Sequence, residues 1–408
     1  MLIYYRDFQL ISFSDVSIFN IKYFMENKNY KSDKLFLEKH LRVVELVNGD
    51  KRLLLTPDLQ GRVLTSTANG ENGYSFGWLN YNLISSGKFL PHCNNFGGED
   101  RYWLGPEGGQ YSIFFKGSSG MGFDFEDWQA PSLIDTDKWE LVSSNNQTVT
   151  FTKSAVLENF SGTLFSCKLD RTVKLLDNNT IATQFGIEIP ASVDSVVFTS
   201  SNLLTNTGDF EWTKQTGMLS IWILGQFIPS DKNTVIIPFK KSETARINDS
   251  YFGKIDADRL KITENALLFK GDGGKRGKIG TPPEMTTPFA GAYDAENGTL
   301  TIVKFSFYEN SDHVYVNSMW EFQDEPFKGD VINSYNDGPL EDGSIMGPFY
   351  EIETSSAATN LKPGDSLLHT HTTMHFKAQI EELNKISLQI LGVDLKEINN
   401  YFTKHSSL

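Results

Sequence analysis

The sequence predicts an all-β protein made of large antiparallel sheets packed face to face. Three observations carry this. Apolar and polar residues alternate in many short runs, turn residues separate those runs at short intervals, and helical periodicity is confined to the C-terminal end. Alternation runs through residues 42–47, 147–152, 180–187 and 299–305, each expected to be a strand. Asn48-Gly49-Asp50, Asn69-Gly70-Glu71-Asn72-Gly73, Asp177-Asn178-Asn179 and Glu296-Asn297-Gly298 supply turn chemistry beside them. Over residues 378–391, Ile380, Leu383, Ile386, Leu388 and Ile390 give one apolar helix face, and Asp394 with Glu397 reads as the capped start of a second short helix.

No repeat, low-complexity tract or Pro-rich linker divides the chain, so residues 35–408 are expected to form a single domain. Residues 1–34 read as an N-terminal extension, a mis-assigned start or a loosely attached segment. Residues 1–24 are rich in Ile, Tyr, Phe and Ser, but Arg6, Asp7 and Asp15 interrupt them and no small-residue cleavage site follows. Met25 then opens a polar segment and is an alternative start. Without a signal peptide pattern, a cytoplasmic location is expected.

Aromatic residues make up 13% of the 408 residues, including 30 phenylalanines, which is enough apolar bulk for an extensive core. A net charge of −14 argues against nucleic acid as a partner; a neutral ligand, or a small anion held locally, is compatible with it. Cys93 and Cys167 make no disulfide framework and no Cys-x-x-Cys pair, so both are expected as buried thiols. No apolar run is long enough to span a membrane.

The densest chemistry lies in residues 94–115, where Glu99, Asp100, Arg101, Trp103 and Glu107 sit among five glycines and a proline. Glycine allows close backbone approach to a ligand, arginine offers a donor fork, and tryptophan a flat apolar face. These suit a sugar, with Arg101, Trp103 and Glu107 as binding residues; the plainer reading is a buried turn with Arg101 paired to Glu99 or Asp100. Glu351 and Glu353 are two apart on an expected strand and so share a face, where each disfavours ionisation of the other. His369, His371 and His375 share a face of the last strand. They could chelate a metal with Glu351 or Glu353, supply a proton donor, or simply form a polar outer face. Asn336 and Asp337 form a turn that could also reach hydroxyl groups. Residues 271–280 read as a basic Gly-rich loop whose Arg276 or Lys278 could meet an anionic sugar. Trp128 and Trp320 read as core or as stacking platforms.

Four segments together resemble the galactose-mutarotase-like (aldose 1-epimerase-like) family. They are Leu55-Thr56-Pro57-Asp58-Leu59-Gln60-Gly61-Arg62-Val63, Phe96-Gly97-Gly98, Asn202-Leu203-Leu204-Thr205-Asn206-Thr207-Gly208, and Tyr350-Glu351-Ile352-Glu353-Thr354 followed by Leu361-Lys362-Pro363-Gly364-Asp365. The resemblance implies a large antiparallel β-supersandwich, with the short helices at its C-terminal end. It also implies a site that opens a pyranose ring with a carboxylate base and a histidine acid. Glu353 falls at the base position. Asn202, aligned through Asn206, falls at the acid position, and Phe96 replaces the loop histidine; asparagine cannot cycle a proton near neutral pH.

Two expectations follow. The first is a protein acting on a mono- or oligosaccharide, epimerising it at the anomeric carbon. In it Glu353 is the base, Glu351 its modulator and His371 the replacement acid; Arg101, Trp103, Glu107, Asn202, Asn206, Asp337 and Lys278 hold the sugar. The second is a non-catalytic carbohydrate-binding protein that kept the cleft and lost the relay. No cofactor is expected, and a metal at His369 and His371 is not favoured.

Overall fold

The computed structural model describes residues 29–116, 122–308, 314–340 and 342–403, so most of the expected N-terminal extension lies outside the described residues. The strands are β1 (Val44–Asn48), β2 (Lys51–Thr56), β3 (Arg62–Thr67), β4 (Arg101–Gly105), β5 (Glu140–Ser144), β6 (Thr148–Glu158), β7 (Leu164–Leu175), β8 (Asp194–Asn206) and β9 (Ser220–Phe227). They continue as β10 (Asn233–Pro238), β11 (Leu260–Ile262), β12 (Ala266–Lys270), β13 (Gly277–Thr281), β14 (Phe289–Asp294), β15 (Thr299–Phe305), β16 (Ile332–Asn336), β17 (Tyr350–Ser355) and β18 (Ser366–Lys377). Helices are α1 (Tyr30–His40), α2 (Tyr81–Ser86), α3 (Ser132–Asp135), α4 (Asn178–Phe185), α5 (Ile380–Ile390) and α6 (Leu395–Thr403).

Every pairing between these described strands is antiparallel, and the expected all-β class holds. A ten-stranded sheet runs β11-β12-β10-β14-β15-β18-β8-β7-β6-β5, and a five-stranded sheet runs β13-β16-β17-β9-β4. β7 alternates buried and partly exposed positions along almost its whole length, as a sheet with one covered face requires. β9 is buried at every position, because both faces of the five-stranded sheet are covered. Its inner face packs on the large sheet: Tyr102, Leu104, Ile221 and Ile223 meet Phe151, Leu169 and Val173, while Ile352, Ile332 and Ile279 meet Val303, Ala292 and Phe269. The other side of the large sheet carries Met374, Phe376, Leu300 and Ile302 against Leu383, Ile386, Leu395 and Ile398 of α5 and α6.

The small sheet, β1-β2-β3, packs with α1 through Tyr30, Leu37, Leu54 and Leu64. The Asn29 side chain caps α1, and Tyr30 and Asp33 are fully buried, so the expected domain edge at residue 35 falls inside a packed helix. Residues 180–187, expected as a strand after a turn at 177–179, fall largely in the helix α4 instead. Asp177 Oδ1 caps the Thr180 N–H at 2.7 Å, Gly186 closes the helix at φ 66°, and local capping outweighs a two-residue alternation. Near the C-terminus, Asp394 accepts the Lys396 N–H at 2.9 Å at the start of α6, as expected. No described helix is long and apolar enough to cross a membrane.

Candidate active site

The outer face of the five-stranded sheet gathers the chemistry. Cross-strand partners lie side by side on one face, and the register aligns Arg101 with Leu224, Leu224 with Glu353, and Glu353 with Asn333. One step along, Gln226 pairs with Glu351, Glu351 with Tyr335, and Tyr335 with Lys278. Trp103 pairs with Trp222 on that face as well. Residues as distant in sequence as Arg101 and Glu353 are thus brought together by strand pairing, and Lys278 stands on β13 rather than in a loop.

Loops close over this face. The Glu107 N–H is bonded to Ser318 Oγ at 3.2 Å, and Gln110 Nε2 to the Gln323 carbonyl at 2.9 Å, so the segment after β4 is tied to residues 318–323. Gly97 and Gly98, before β4, have φ of 94° and 114°, and a Cβ on Gly97 would lie 2.0 Å from the Trp78 carbonyl oxygen. That loop therefore needs its glycines for backbone packing. Phe96 packs with Leu79 and Ile84 against the small sheet, away from the carboxylates.

Glu353 is fully buried, and its Oε2 accepts from Lys278 Nζ at 3.0 Å and from Trp222 Nε1 at 3.1 Å. Its Oε1 is buried with no protein partner, as is Trp103 Nε1. A buried polar atom without a partner is costly. Arg101 forms an ion pair with Glu351, donates from Nε to the Leu224 carbonyl at 3.4 Å, and lies 5.3 Å over the Trp103 ring. The plainer expectation of an Arg101 pair with Glu99 or Asp100 does not occur: Glu99 bonds His375 Nε2 at 2.9 Å, and Asp100 is paired with Arg171 at 2.7 Å.

Charge is unevenly held. Burial raises Glu351 to about 7, with Arg101 opposing and the Glu353 charge adding to the rise. Burial also raises Glu107, against the pull of Lys278, and raises Asp330 to about 6 against its hydrogen bond from Tyr251. Burial works to lower Lys278, but the carboxylates of Glu353, Glu107 and Glu351 outweigh it, so Lys278 stays a cation. Its ammonium lies 4.9 Å from the Trp222 ring centre and 5.6 Å from that of Tyr251.

Arg101, Trp103, Glu107, Lys278, Glu351 and Glu353 are therefore brought together at the outer face of the five-stranded sheet. Asp337 reaches only its margin: it accepts the Tyr335 hydroxyl at 2.7 Å and the Gly347 N–H at 2.8 Å. His371 does not stand beside Glu353. Its Nδ1 lies 2.9 Å from Thr354 Oγ1, and His369 Nε2 lies 3.0 Å from the same oxygen. Thr354 follows Glu353 in β17 and so faces the opposite way, into the layer between the sheets. Burial lowers His369 to about 3 and His371 to about 4, so both are neutral there rather than proton carriers. His375 is likewise interior, stacked on Phe76 at 4.3 Å.

Asn202 also lies in the inner layer, accepting from Arg171 Nη1 at 2.8 Å, and Asn206 donates to the carbonyls of Phe210 and Leu361. Both asparagines hold chain to chain. Among the described residues no three His, Cys, Asp or Glu side chains converge as a metal set.

Sequence reasoning missed Trp222, Tyr251, Asp330 and Asn333. Trp222 was legible in the alternation of Ser220, Trp222, Leu224 and Gln226 with isoleucines. Tyr251 and Asp330 carry no local signal: Tyr251 donates to Asp330 Oδ2 at 2.5 Å and accepts from Asn333 Nδ2 at 3.2 Å only because the loops fold over the sheet. A Cβ on Gly280 would stand 2.0 Å from Asp330 Oδ2, so the bare strand position makes room for this pair.

Solved structures similar to this chain include the Slr1438 protein from Synechocystis sp. PCC 6803, at 13% identity over 82% of this chain and 96% of that one, with a TM-score of 0.49. A galactose mutarotase-like protein from Lactobacillus casei ATCC 334 matches at 10% identity over 82% and 100% of the two chains, TM-score 0.49. A galactose mutarotase related enzyme from Lactobacillus acidophilus matches at 10% over 83% and 98%, TM-score 0.44. Values this low carry no conclusion about activity. No curated protein matches the chain. The family of unknown function DUF6786 matches it from residue 28 to residue 402, nearly all of its described length, and the chain belongs to that family.

Proposed function

We propose that this chain binds a mono- or oligosaccharide on the outer face of the five-stranded sheet and epimerises it at the anomeric carbon. The observation that carries the reading is the carboxyl pair with unlike surroundings. Glu353 is held by Lys278 and Trp222 with one oxygen free, and Glu351 is raised to about 7. Two carboxyl groups in such unlike surroundings suit the roles of base and acid. Glu353 takes the proton of the anomeric hydroxyl as the bond from the anomeric carbon to the ring oxygen breaks, and Glu351 gives its proton to that oxygen. Closure on the other face of the new carbonyl reverses both transfers, so charge and protons balance. Glu351 takes the acid role in place of His371. The tryptophans Trp103 and Trp222 supply apolar faces, and Arg101 and Lys278 hold the two carboxyl groups in place.

Polarimetry on α-glucose and α-galactose tests this: mutarotation faster than the spontaneous rate is expected, and Glu353→Gln is expected to abolish it in a folded protein. Activity surviving unchanged in Glu353→Gln removes Glu353 as the base. One observation favours the second reading, a binding protein without catalysis: among the described residues no histidine lies on this face, and Glu351 is tied to Arg101. Sugar binding with no acceleration of mutarotation would select it.

A further inference from the structure

We infer that the sugar this site takes is a uronate, its carboxylate held by Arg276 at the rim of the outer face. The inference rests on the carbohydrate reading and adds the class of sugar. Arg276 comes one residue before β13 and two before Lys278, so it continues the outward row of that strand. Its neighbours agree with that placement. The guanidinium lies 4.0 Å over the Phe252 ring, and Phe252 meets Tyr335 edge-on with ring centres 6.0 Å apart. Tyr335 is in turn the cross-strand partner of both Lys278 and Glu351.

Arg276 is a cation without a counter-charge. Lys275 is paired with Asp256 and Lys278 with Glu353, and Arg259 is taken by Asp272 of the same loop. Arg276 forms no ion pair and no hydrogen bond among the described residues, and its Nε is buried without a partner. Asp337 is near enough to feel its charge, but the Asp337 oxygens accept from the Tyr335 hydroxyl at 2.7 Å and the Gly347 N–H at 2.8 Å. A surface arginine gives its Nε to water; here that donor is shut off, and a less hydrated charge holds an anion more strongly. Phe252 is exposed and Arg276 only half-buried, so the terminal nitrogens stand at an open rim, their plane fixed by the ring. Such a fork matches a carboxylate with two parallel bonds.

Spacing and charge narrow the ligand further. Two residues along a strand span about 7 Å. A hexopyranose with its anomeric hydroxyl on Glu353, beside Lys278, would therefore extend its exocyclic carbon toward Arg276. One free guanidinium balances the single charge of a carboxylate at that carbon, and leaves a phosphate ester, with nearly two charges, unbalanced. Protonation of Glu351, which the proposed reaction requires, removes a negative charge from the face and lessens its repulsion of an anion.

Calorimetric titration of the full chain at neutral pH tests this. The probes are glucuronate, galacturonate, glucuronamide, glucose, galactose and glucose 6-phosphate. The uronates are expected to bind about tenfold tighter than the neutral hexoses and than glucuronamide, which keeps the shape of glucuronate without its charge. Arg276→Gln is read by the ratio of uronate to hexose affinity within the one protein, which is expected to fall to about one. Arg276→Lys keeps the charge, loses the fork and is expected to retain part of the ratio. Circular dichroism checks the fold of both variants, and the wild-type comparison with glucuronamide decides the matter if neither folds. Uronates bound no tighter than glucuronamide, glucose 6-phosphate bound tighter than the uronates, or a ratio unchanged in Arg276→Gln overturns the uronate inference alone. Absence of binding by every probe overturns the carbohydrate reading and this inference with it.

Discussion

Glu353 and Thr354, neighbours in β17, serve opposite sides of the five-stranded sheet. Glu353 accepts from Lys278 and Trp222 on the outer face at 3.0 and 3.1 Å. Thr354 Oγ1 meets His369 and His371 on the inner face at 3.0 and 2.9 Å. The strand therefore separates the carboxylates from the histidines of the molecule's interior. The proposed acid/base work on the outer face would therefore fall to the carboxyl groups, and the histidines are left to the packing between sheets.

Glu351 gives the first prediction. A carboxyl raised to about 7 donates a proton only below that pH, so epimerisation is expected to fall as pH rises past about 7. Glu351→Gln removes the donor and is expected to cost about 10²-fold or more in rate while flattening the alkaline limb. Polarimetry over a pH series checks it; an alkaline limb kept by Glu351→Gln assigns the acid elsewhere.

Stability against pH gives the second. His369 and His371 titrate near 3 and 4 in the folded chain and near about 6.5 in the unfolded one. Their contribution is full above about 6.5 and is lost as pH falls toward those folded values. Glu351 acts in the opposite sense: its contribution is full below its ordinary value of 4.5 and is lost as pH rises through about 7. Between about pH 6.5 and 4.5, urea unfolding should therefore lose stability less steeply in a His369→Gln/His371→Gln variant and more steeply in Glu351→Gln than in the parent. Equal slopes in all three would mean that these groups are not buried as described.

Much of the fold was legible, and half of the site. Alternation found β1, β6 and β15 because one covered face imposes a period of two. It failed at residues 180–187, where Thr, Ile, Ala, Thr, Gln and Phe alternate loosely but Asp177 and Gly186 fit a helix's two ends. Parity put Glu351 and Glu353 on one face, and His369, His371 and His375 on another, from sequence alone. Which face looked outward depended on how two sheets stack, and no local pattern states that. Tyr251 and Asp330 were invisible for the same reason, since each lies in a loop whose path over the sheet is set by distant contacts.

Gly280 supplies the third prediction. Gly280→Ala would set a methyl group 2.0 Å from Asp330 Oδ2 and 2.8 Å from Asn333 Nδ2. The Tyr251–Asp330 contact must then open, with an expected cost of about 1–3 kcal/mol in urea unfolding. Sugar affinity should weaken too, because Tyr251 and Asn333 border Lys278 and Glu353. An alanine variant as stable as the parent would show that Asp330 has room to move.

The last prediction concerns the pin beneath the site. Arg171 of β7 is fully buried and donates to Asp100 Oδ1 at 2.7 Å, the Asp100 carbonyl at 3.1 Å, the Gly61 carbonyl at 3.0 Å and Asn202 at 2.8 Å. One guanidinium thus ties the large sheet to the chain entering β3 and to the residue just before Arg101. Arg171→Met leaves Asp100 buried with only the Ser200 hydroxyl, at 2.8 Å, so a loss of about 3–5 kcal/mol is expected. Adding Asp100→Leu removes the stranded charge, and the double variant should regain part of that loss, as a double-mutant cycle measures. Sugar binding should not return with it. Arg101 is the next residue along β4, and its hold on Glu351 depends on where Asp100 anchors the strand. A double variant that regains stability and binds sugar as the parent does would show that Arg101 is placed by its own sheet pairing, with no help from the buried pair below.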